Sequence, residues 1–180
     1  MPGAGWSCGD PMQEKTSAIM GSAIFLVIAP GFVAGLVPWW ISGWQLKSPL
    51  FDLAFLRISG IGLIALGSLI VLDSFARFAI RGLGTPAPVL PTRHLVVTGL
   101  YRYVRNPMYV GVVSTIIGQA LLLGNVALLE YGASVWLCFH AFVLLYEEPT
   151  LGRSFGPEYQ LYRNEVPRWI PRYRRGPPAM

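Results

Sequence analysis

Two adjacent carboxylates, Glu147 and Glu148, follow an apolar stretch at residues 126–146. Two acids at the carboxyl end of a helix repel each other and oppose the helix dipole, so local stability alone does not favour them. A cationic group is therefore expected beside them. That cation can be a nearby arginine or a positively charged ligand, and the sequence leaves both interpretations open.

A second stretch with chemical potential reads GLYRYVRNPMYVG and runs directly into another apolar segment. Pro107 suits the first turn of a helix, and Asn106 before it is a plausible helix cap. The exposed N–H groups of such a helix start, together with Arg105, favour a carboxylate or another polar group. The alternative is a membrane-surface anchor, since tyrosine and arginine are common at that depth.

Residues 81–93, RGLGTPAPVLPTR, hold three prolines and two glycines and are therefore predicted to form a loop. Gly82 and Gly84 allow the backbone to present N–H groups to an anionic or polar ligand. The same residues also fit a plain connector, and the motif alone does not decide between the two interpretations.

The elements that must position these residues are apolar helices. The 180 residues are 53% hydrophobic and 13% charged, with a mean hydropathy of +0.50, which indicates a membrane protein with a single domain over residues 1–180. Four stretches are long enough to cross a hydrocarbon core of about 30 Å. They cover residues 17–38, 53–76, 108–124 and 126–146. We therefore expect an all-α, polytopic membrane bundle of about four transmembrane helices.

The arginines predict its orientation. Five arginines lie between the second and third stretches and six follow the fourth, so the positive-inside rule assigns both segments to the cytoplasm. Four spans then place both termini in the cytoplasm. The net charge of +5 does not indicate a nucleic-acid partner, because these arginines are bracketed by spans and fit anionic headgroups better.

Several shorter sequence features predict details of helix packing and helix ends. Residues 111/115 and 114/118 form small pairs spaced by four, which predicts close helix packing. Pro149 is expected to end the fourth helix. His140 lies seven residues before Glu147, hence on the same face of a regular helix, where it can line a cavity or pack within the bundle. The two cysteines have no partners at metal-ligand spacing, so we expect no metal site.

The carboxyl-terminal segment predicts a short interfacial helix over residues 157–166, with proline in its first turn and Pro167 after its last residue. Its apolar and aromatic side chains are expected to lie against the bilayer surface, as a lid or dock near the membrane plane. The side chains in question are Tyr159, Tyr162, Val166, Trp169 and Ile170.

Three motifs occur in a fixed order: TGLYRYVRNPMYVG, then LYEEPTL after an apolar hairpin, then FGPEYQLYRNEVPRWIP. Together they resemble the integral-membrane methyltransferases, which include isoprenylcysteine carboxyl methyltransferases and phospholipid methyltransferases. The resemblance covers residues 80–172, about half of the chain, and implies that this part is the catalytic region. The ordered combination is far more specific than any one motif.

The resemblance implies a membrane enzyme that uses S-adenosylmethionine, held on the cytoplasmic side by the loop before span three, the start of that span and the acidic pair. It assigns Arg105, Asn106 and Tyr109 to catalysis. The residues expected at the cofactor are Gly82, Gly84, His94, Leu95, Val96, Gly99, Tyr101, Asn106, Pro107, Tyr109, Glu147 and Glu148. The cofactor also supplies the cation that the acidic pair predicts, through its ammonium and sulfonium groups.

The acceptor is expected to be a lipid or lipid-like molecule. Asn106 replaces the histidine usual in the prenylcysteine branch and is closer to the phospholipid form of the motif. Val143 stands where the prenylcysteine branch has a substrate-binding arginine. An isoprenylcysteine-type carboxyl methyltransferase, favoured by the FGPEY segment, and a non-catalytic lipid-binding membrane protein are the two alternatives.

Overall fold

The computed structural model describes residues 28–77, 95 and 97–171, and every regular element in these ranges is helical. Helix α1 covers Ile28–Ser42, α2 covers Phe55–Arg77, α3 covers Pro107–Leu123, α4 covers Val126–Phe142 and α5 covers Glu148–Glu165. A 3-10 turn, Gly99–Arg102, precedes α3, and a π-helical turn, Val143–Glu147, joins α4 to α5. The expectation of an all-α protein is confirmed for this part of the chain.

Two helical runs, Phe55–Arg77 and Val126–Glu165, are long and apolar enough to cross a bilayer by length and composition. They correspond to the second and fourth predicted spans. Pro107–Leu123 and Ile28–Ser42 are apolar but shorter, and the amino-terminal part of the first predicted span lies outside the described residues. The helices therefore support a membrane protein, with two runs of spanning length.

Helices α2 and α3 lie antiparallel with their backbones in close contact. A Cβ atom added to Gly60 would lie 2.7 Å from the Gly118 carbonyl oxygen, and one added to Gly111 would lie 2.8 Å from the Gly67 oxygen. Thr115 also belongs to this contact, beside Gly67. The predicted packing role of 111, 115 and 118 is confirmed, and small residues are what allow such an approach between membrane helices.

Two glycines of the same helix provide a matched test of this contact. We expect Gly60→Ala to lower the free energy of unfolding by about 1–3 kcal/mol, because the new methyl group overlaps the α3 backbone. Gly62→Ala should be neutral or stabilising, since nothing lies within 4 Å of its Cβ position. Thermal unfolding in detergent measures both, and equal effects would contradict the packing role.

Helix α1 widens into a π-helical segment, Phe32–Leu36, shortly before Pro38. Proline lacks an N–H group and its ring crowds the carbonyl four residues earlier, here that of Ala34. Gln119 of α3 donates to this carbonyl oxygen at 2.7 Å, and the Tyr131 hydroxyl of α4 donates to the Val33 oxygen at 2.9 Å. Two later helices thus satisfy the backbone groups that the widened turn releases.

We expect Gln119→Leu to destabilise the fold by about 1–3 kcal/mol, because it leaves the Ala34 oxygen without its side-chain donor in an apolar environment. Gln160→Leu, at an exposed position of α5, is the control. Thermal unfolding compares the two variants. A Gln119→Leu protein as stable as the control would show that this oxygen finds another donor.

The same arrangement recurs at Pro149. The π-helical turn Val143–Glu147 ends two residues before this proline, and α5 continues from it, with Pro149 in its first turn. The prediction that Pro149 ends the helix is wrong, because the wider turn accommodates the ring and the run extends over Val126–Glu165. Helix α4 is therefore continuous with the helix that carries the carboxyl-terminal motif.

Helix α5 bends at Gly156, whose φ of 51° is unfavourable for other residues. Its second half matches the predicted helix at 157–166 and ends at Glu165. Tyr159 and Val166 are buried within the protein, so the expectation that they lie on the bilayer surface is wrong for these two. Ile170 is exposed.

Candidate active site

The structure brings together the residues that the two motifs singled out. Arg105, Asn106 and Tyr109, at the start of α3, lie beside Glu147 and Glu148, where the π-helical turn passes into α5. Four other predicted cofactor residues lie outside the described residues: Gly82, Gly84, His94 and Val96. Leu95 is half-buried.

Glu148 is buried and is surrounded by guanidinium groups. Arg168 Nε and Nη2 donate to its two oxygens at 2.6 and 3.1 Å, and Arg105 Nη1 lies 3.0 Å from Oε1. Arg163 is more distant, at 3.8 Å, and half-exposed. The hydrogen bonds to Glu148 raise the pKa of the Arg168 guanidinium. The cation that the sequence predicts beside the acidic pair is therefore, at Glu148, supplied by arginine side chains.

Glu147 differs from its neighbour. It accepts a hydrogen bond from the Tyr109 hydroxyl at 3.0 Å, and among the residues that the structure describes it forms no ion pair. Phe139 packs on the Tyr109 ring with centroids 4.6 Å apart. The two acids are adjacent in sequence, yet only one of them has a cationic partner in this part of the chain.

The π-helical turn explains which side chains share a face with Glu147. Phe139 lies eight residues earlier, and the extra residue of the wide turn brings it onto the face that meets Tyr109. His140 points elsewhere: its Nδ1 accepts a hydrogen bond from Trp169 Nε1 at 3.1 Å, and Trp136 stacks on its ring. The expectation of a common face for His140 and Glu147 is wrong, and the packed interpretation of His140 is favoured.

The segment after α5 folds back over the start of α3. The Arg105 backbone N–H donates to the Pro167 oxygen at 2.9 Å, and Asn106 Nδ2 donates to the Arg168 oxygen at 3.2 Å. Asn106 does stand at the position before α3, but its side chain makes no capping hydrogen bond. Its amide instead holds the segment that carries Arg168, so the predicted side-chain cap is wrong.

Tyr101 lies at the centre of the 3-10 turn and is buried. Its side chain reaches Ser74 of α2, and its backbone oxygen accepts from the Tyr162 hydroxyl at 2.8 Å. Burial is the main cause that raises the pKa of the Tyr101 phenol, and the charge of Glu147 adds to it. The phenol therefore stays protonated near Glu147 at any physiological pH.

Several buried polar side-chain atoms of residues in or close in sequence to these motifs have no hydrogen-bond partner in the described part of the chain. They are Arg105 Nε, Thr98 Oγ1 and Thr150 Oγ1. A buried donor without a partner is costly, and such atoms often mark the place of a ligand or water. The Nε donor of Arg105, which pairs with Glu148 through Nη1, is therefore available to a ligand.

Several residues of this cluster were not predicted as site residues. Sequence reasoning assigned Arg163 and Arg168 to headgroup contacts, and Tyr159 and Tyr162 to the bilayer surface. In the structure Arg163 and Arg168 surround Glu148, and the Tyr159 hydroxyl lies 3.4 Å from Arg105 Nη1. These residues belong to the FGPEYQLYRNEVPRWIP motif, which therefore marked them as candidates. The spacing of residues within that motif does not indicate that the chain folds back onto α3.

Comparison with known proteins places these residues in context. Residues 55–158 match the sequence profile of the phospholipid methyltransferase family. Over 80 residues the chain is 42% identical to a protein-S-isoprenylcysteine O-methyltransferase of Schizosaccharomyces pombe, a match that covers 43% of this chain and 34% of that protein. The matched stretch thus spans about a third of the curated relative. No solved structure shows significant similarity.

Proposed function

Because the chain belongs to the phospholipid methyltransferase family, we propose that it is a membrane-embedded methyltransferase that transfers a methyl group from S-adenosylmethionine to a lipid or lipid-like acceptor. The observation that carries the proposal is Glu147, a carboxylate without a cationic partner among the described residues, next to an acid that three arginines neutralise. A cationic cofactor supplies what Glu147 lacks.

The described residues fit S-adenosylmethionine, which carries a sulfonium, an ammonium and a carboxylate. Glu147 can accept hydrogen bonds from the ammonium or from ribose hydroxyls. The unpaired Nε of Arg105 and the first turn of α3, beginning at Pro107, suit the carboxylate. Tyr109 can face the sulfonium with its ring, while Asn106 keeps the carboxyl-terminal segment in place.

The bound cofactor supplies an electrophilic methyl group, and the protein must align an acceptor with it. An acceptor that is a neutral amine or an ionised carboxylate needs little acid–base help. The chain's own contribution is orientation and exclusion of water, which in favourable cases is worth roughly 7–11 kcal/mol. Arg105, Asn106 and Tyr109 contribute by fixing the start of α3 against α5.

We also propose the finer topology that the arginines predict. Four spans, with both termini and the candidate active site in the cytoplasm, fit the placement of Arg102, Arg105 and Arg168 at one end of the helices. The loop that contains Lys47 lies at the opposite end of the helices, where the Lys47 backbone N–H donates to the Leu123 carbonyl oxygen. Cysteine-accessibility labelling in sealed vesicles tests this, and outward-facing labels at residue 102 would contradict it.

The activity is tested with purified protein, labelled S-adenosylmethionine, and two acceptors: extracted phospholipid and a prenylcysteine analogue. The identity to an isoprenylcysteine methyltransferase keeps a carboxyl O-methyl product as the second candidate. Treatment with base separates the two, because a methyl ester releases volatile methanol and an N-methyl product does not. A folded sample that neither binds the cofactor nor labels either acceptor would instead support a non-catalytic lipid-binding protein.

A further inference from the structure

An aromatic cluster on α4 holds the chain that follows α5. Trp169 Nε1 donates a hydrogen bond to His140 Nδ1 at 3.1 Å. Trp136, one turn earlier on α4, stacks on the imidazole with ring centroids 5.2 Å apart, and its centroid lies 6.4 Å from that of Trp169. These three side chains form a cluster distinct from the residues that the proposed function places at the methyl donor.

The return segment, residues 166–171, contains this tryptophan and also contacts the start of α3. The Arg105 backbone N–H donates to the Pro167 oxygen at 2.9 Å, and Asn106 Nδ2 donates to the Arg168 oxygen at 3.2 Å. The hydrogen bond to the imidazole attaches the same segment to α4. One short segment therefore connects the aromatic cluster of α4 to two residues of the candidate active site.

The hydrogen bond between Trp169 and His140 has only one possible direction. An indole N–H donates and cannot accept, and an imidazole nitrogen accepts only when it carries no proton. His140 is half-buried and forms no ion pair within the described ranges. Its ring contacts, Trp136 and Trp169, are uncharged, and the neighbouring Arg168 is bound to Glu148. When Nδ1 gains a proton, two N–H groups face each other and the bond is lost.

The stack with Trp136 decides which partner moves when this bond is lost. A protonated imidazole is attracted to the face of an indole ring, so Trp136 keeps His140 in place on α4. Trp169 lies beyond Glu165, the last residue of α5, in a part of the chain without regular secondary structure. Protonation of His140 therefore releases Trp169, and with it the attachment of the return segment to α4.

We propose that Trp169 and His140 are positioning residues for the methyl donor, and that the neutral form of His140 holds the return segment in place. The inference rests on the proposed function, because it concerns the same cofactor. The two residues act through the return segment, which binds the Arg105 backbone and the Asn106 amide. Loss of the attachment to α4 frees the segment and weakens the placement of Arg105 and Asn106.

The first test compares the unmodified full chain with His140→Asn in detergent. S-adenosylmethionine is titrated calorimetrically at about pH 7.5 and about pH 5.5, within the range in which histidine side chains titrate. The asparagine amide oxygen accepts a hydrogen bond and does not titrate. Between the two pH values the unmodified protein should lose about three- to tenfold more affinity than His140→Asn, as expected for one hydrogen bond. Protonation of Glu147 affects both proteins alike, so it cancels from this comparison.

The second test follows the return segment without any cofactor. Hydrogen exchange of the Arg105 amide, which donates to the Pro167 oxygen, reports whether the segment is in place. Trp169→Phe keeps an aromatic ring but removes the donor. Protection of the Arg105 amide, and cofactor affinity at the higher pH, should each fall by about three- to tenfold in this variant. Trp40→Phe, at an exposed tryptophan of α1, is the control and should match the unmodified protein in both measurements.

The same loss of affinity with pH in His140→Asn as in the unmodified protein would overturn the role of His140. Unchanged Arg105 protection in Trp169→Phe would overturn the role of the return segment. Reduced protection in Trp169→Phe, together with no cofactor binding by the unmodified protein, would contradict the proposed function while supporting the attachment through Trp169, so the two failures are distinguishable. The pH comparison needs no Trp169 variant and remains decisive if Trp169→Phe does not fold.

Discussion

Replacing Glu148 with glutamine should lower the free energy of unfolding by about 3–5 kcal/mol, the cost of breaking a buried ion pair. The carboxylate is the shared partner of Arg105, Arg163 and Arg168. Without its charge, three guanidinium groups repel one another, and the segment that carries Arg168 loses its anchor on α5. Chemical or thermal unfolding in detergent measures the loss, which should exceed that of any other single carboxylate change.

The cluster supplies its own controls. Glu158→Gln, at an exposed position of α5, should change stability by less than about 0.5 kcal/mol. Arg163→Gln should cost less than about 1 kcal/mol, because this side chain is half-exposed and 3.8 Å from Glu148. The double variant Glu148→Gln/Arg168→Gln should be less destabilised than the sum of its singles. A Glu148→Gln protein as stable as Glu158→Gln would refute the structural role.

Replacing Glu147 with glutamine should instead affect the cofactor. A charge-assisted hydrogen bond is worth about 1.5–3 kcal/mol, so we expect S-adenosylmethionine to bind about 10- to 100-fold more weakly. Stability should be unchanged or raised, because the variant no longer buries an uncompensated charge. Calorimetric titration of the purified variant measures the affinity, and methyl transfer should fall at least in proportion.

Two further variants separate the effect of the Glu147 charge from that of its hydrogen bond and of other acids. Tyr109→Phe removes the hydrogen bond to Glu147 but keeps the carboxylate, so it should weaken cofactor binding less than Glu147→Gln. Glu130→Gln changes an exposed acid of α4 and should leave affinity unaltered. Wild-type affinity in Glu147→Gln would remove the main support for the proposed cofactor site. Together with the Glu148 series, these results separate a ligand-binding acid from a structural one.

The helical fold and much of the residue cluster follow from sequence, for definable reasons. Apolar length and small-residue spacing predicted α2 and its contact partner on α3, because these signals are local. Proline also acts locally, yet its effect at Pro149 was misjudged. A proline ends a regular helix but is accommodated after a π-helical turn, and the sequence does not reveal whether that wider turn forms.

The distinct environments of Glu147 and Glu148 could not be predicted either. Of the two cations that the sequence leaves open for the acidic pair, the structure shows arginines at Glu148, whereas Glu147 has no ion-pair partner in the described ranges. Which of the two acids is paired with arginine depends on Arg168. Arg168 reaches Glu148 because the chain after α5 turns back and the Asn106 amide binds the Arg168 backbone oxygen. A contact between residues so distant in sequence depends on the tertiary fold and leaves no periodic signal.

The widened turn before Pro38 has a consequence for how the protein is made. The Val33 and Ala34 oxygens are bonded by Tyr131 and Gln119, residues that leave the ribosome much later than α1. At a synthesis rate of about 5–20 residues per second, Gln119 follows Pro38 by roughly 4–16 s. During this interval both oxygens depend on water or on the insertion machinery. In the proposed four-span topology, helix α1 would therefore complete its integration into the bilayer after α3 and α4 have been synthesised, although it is translated first.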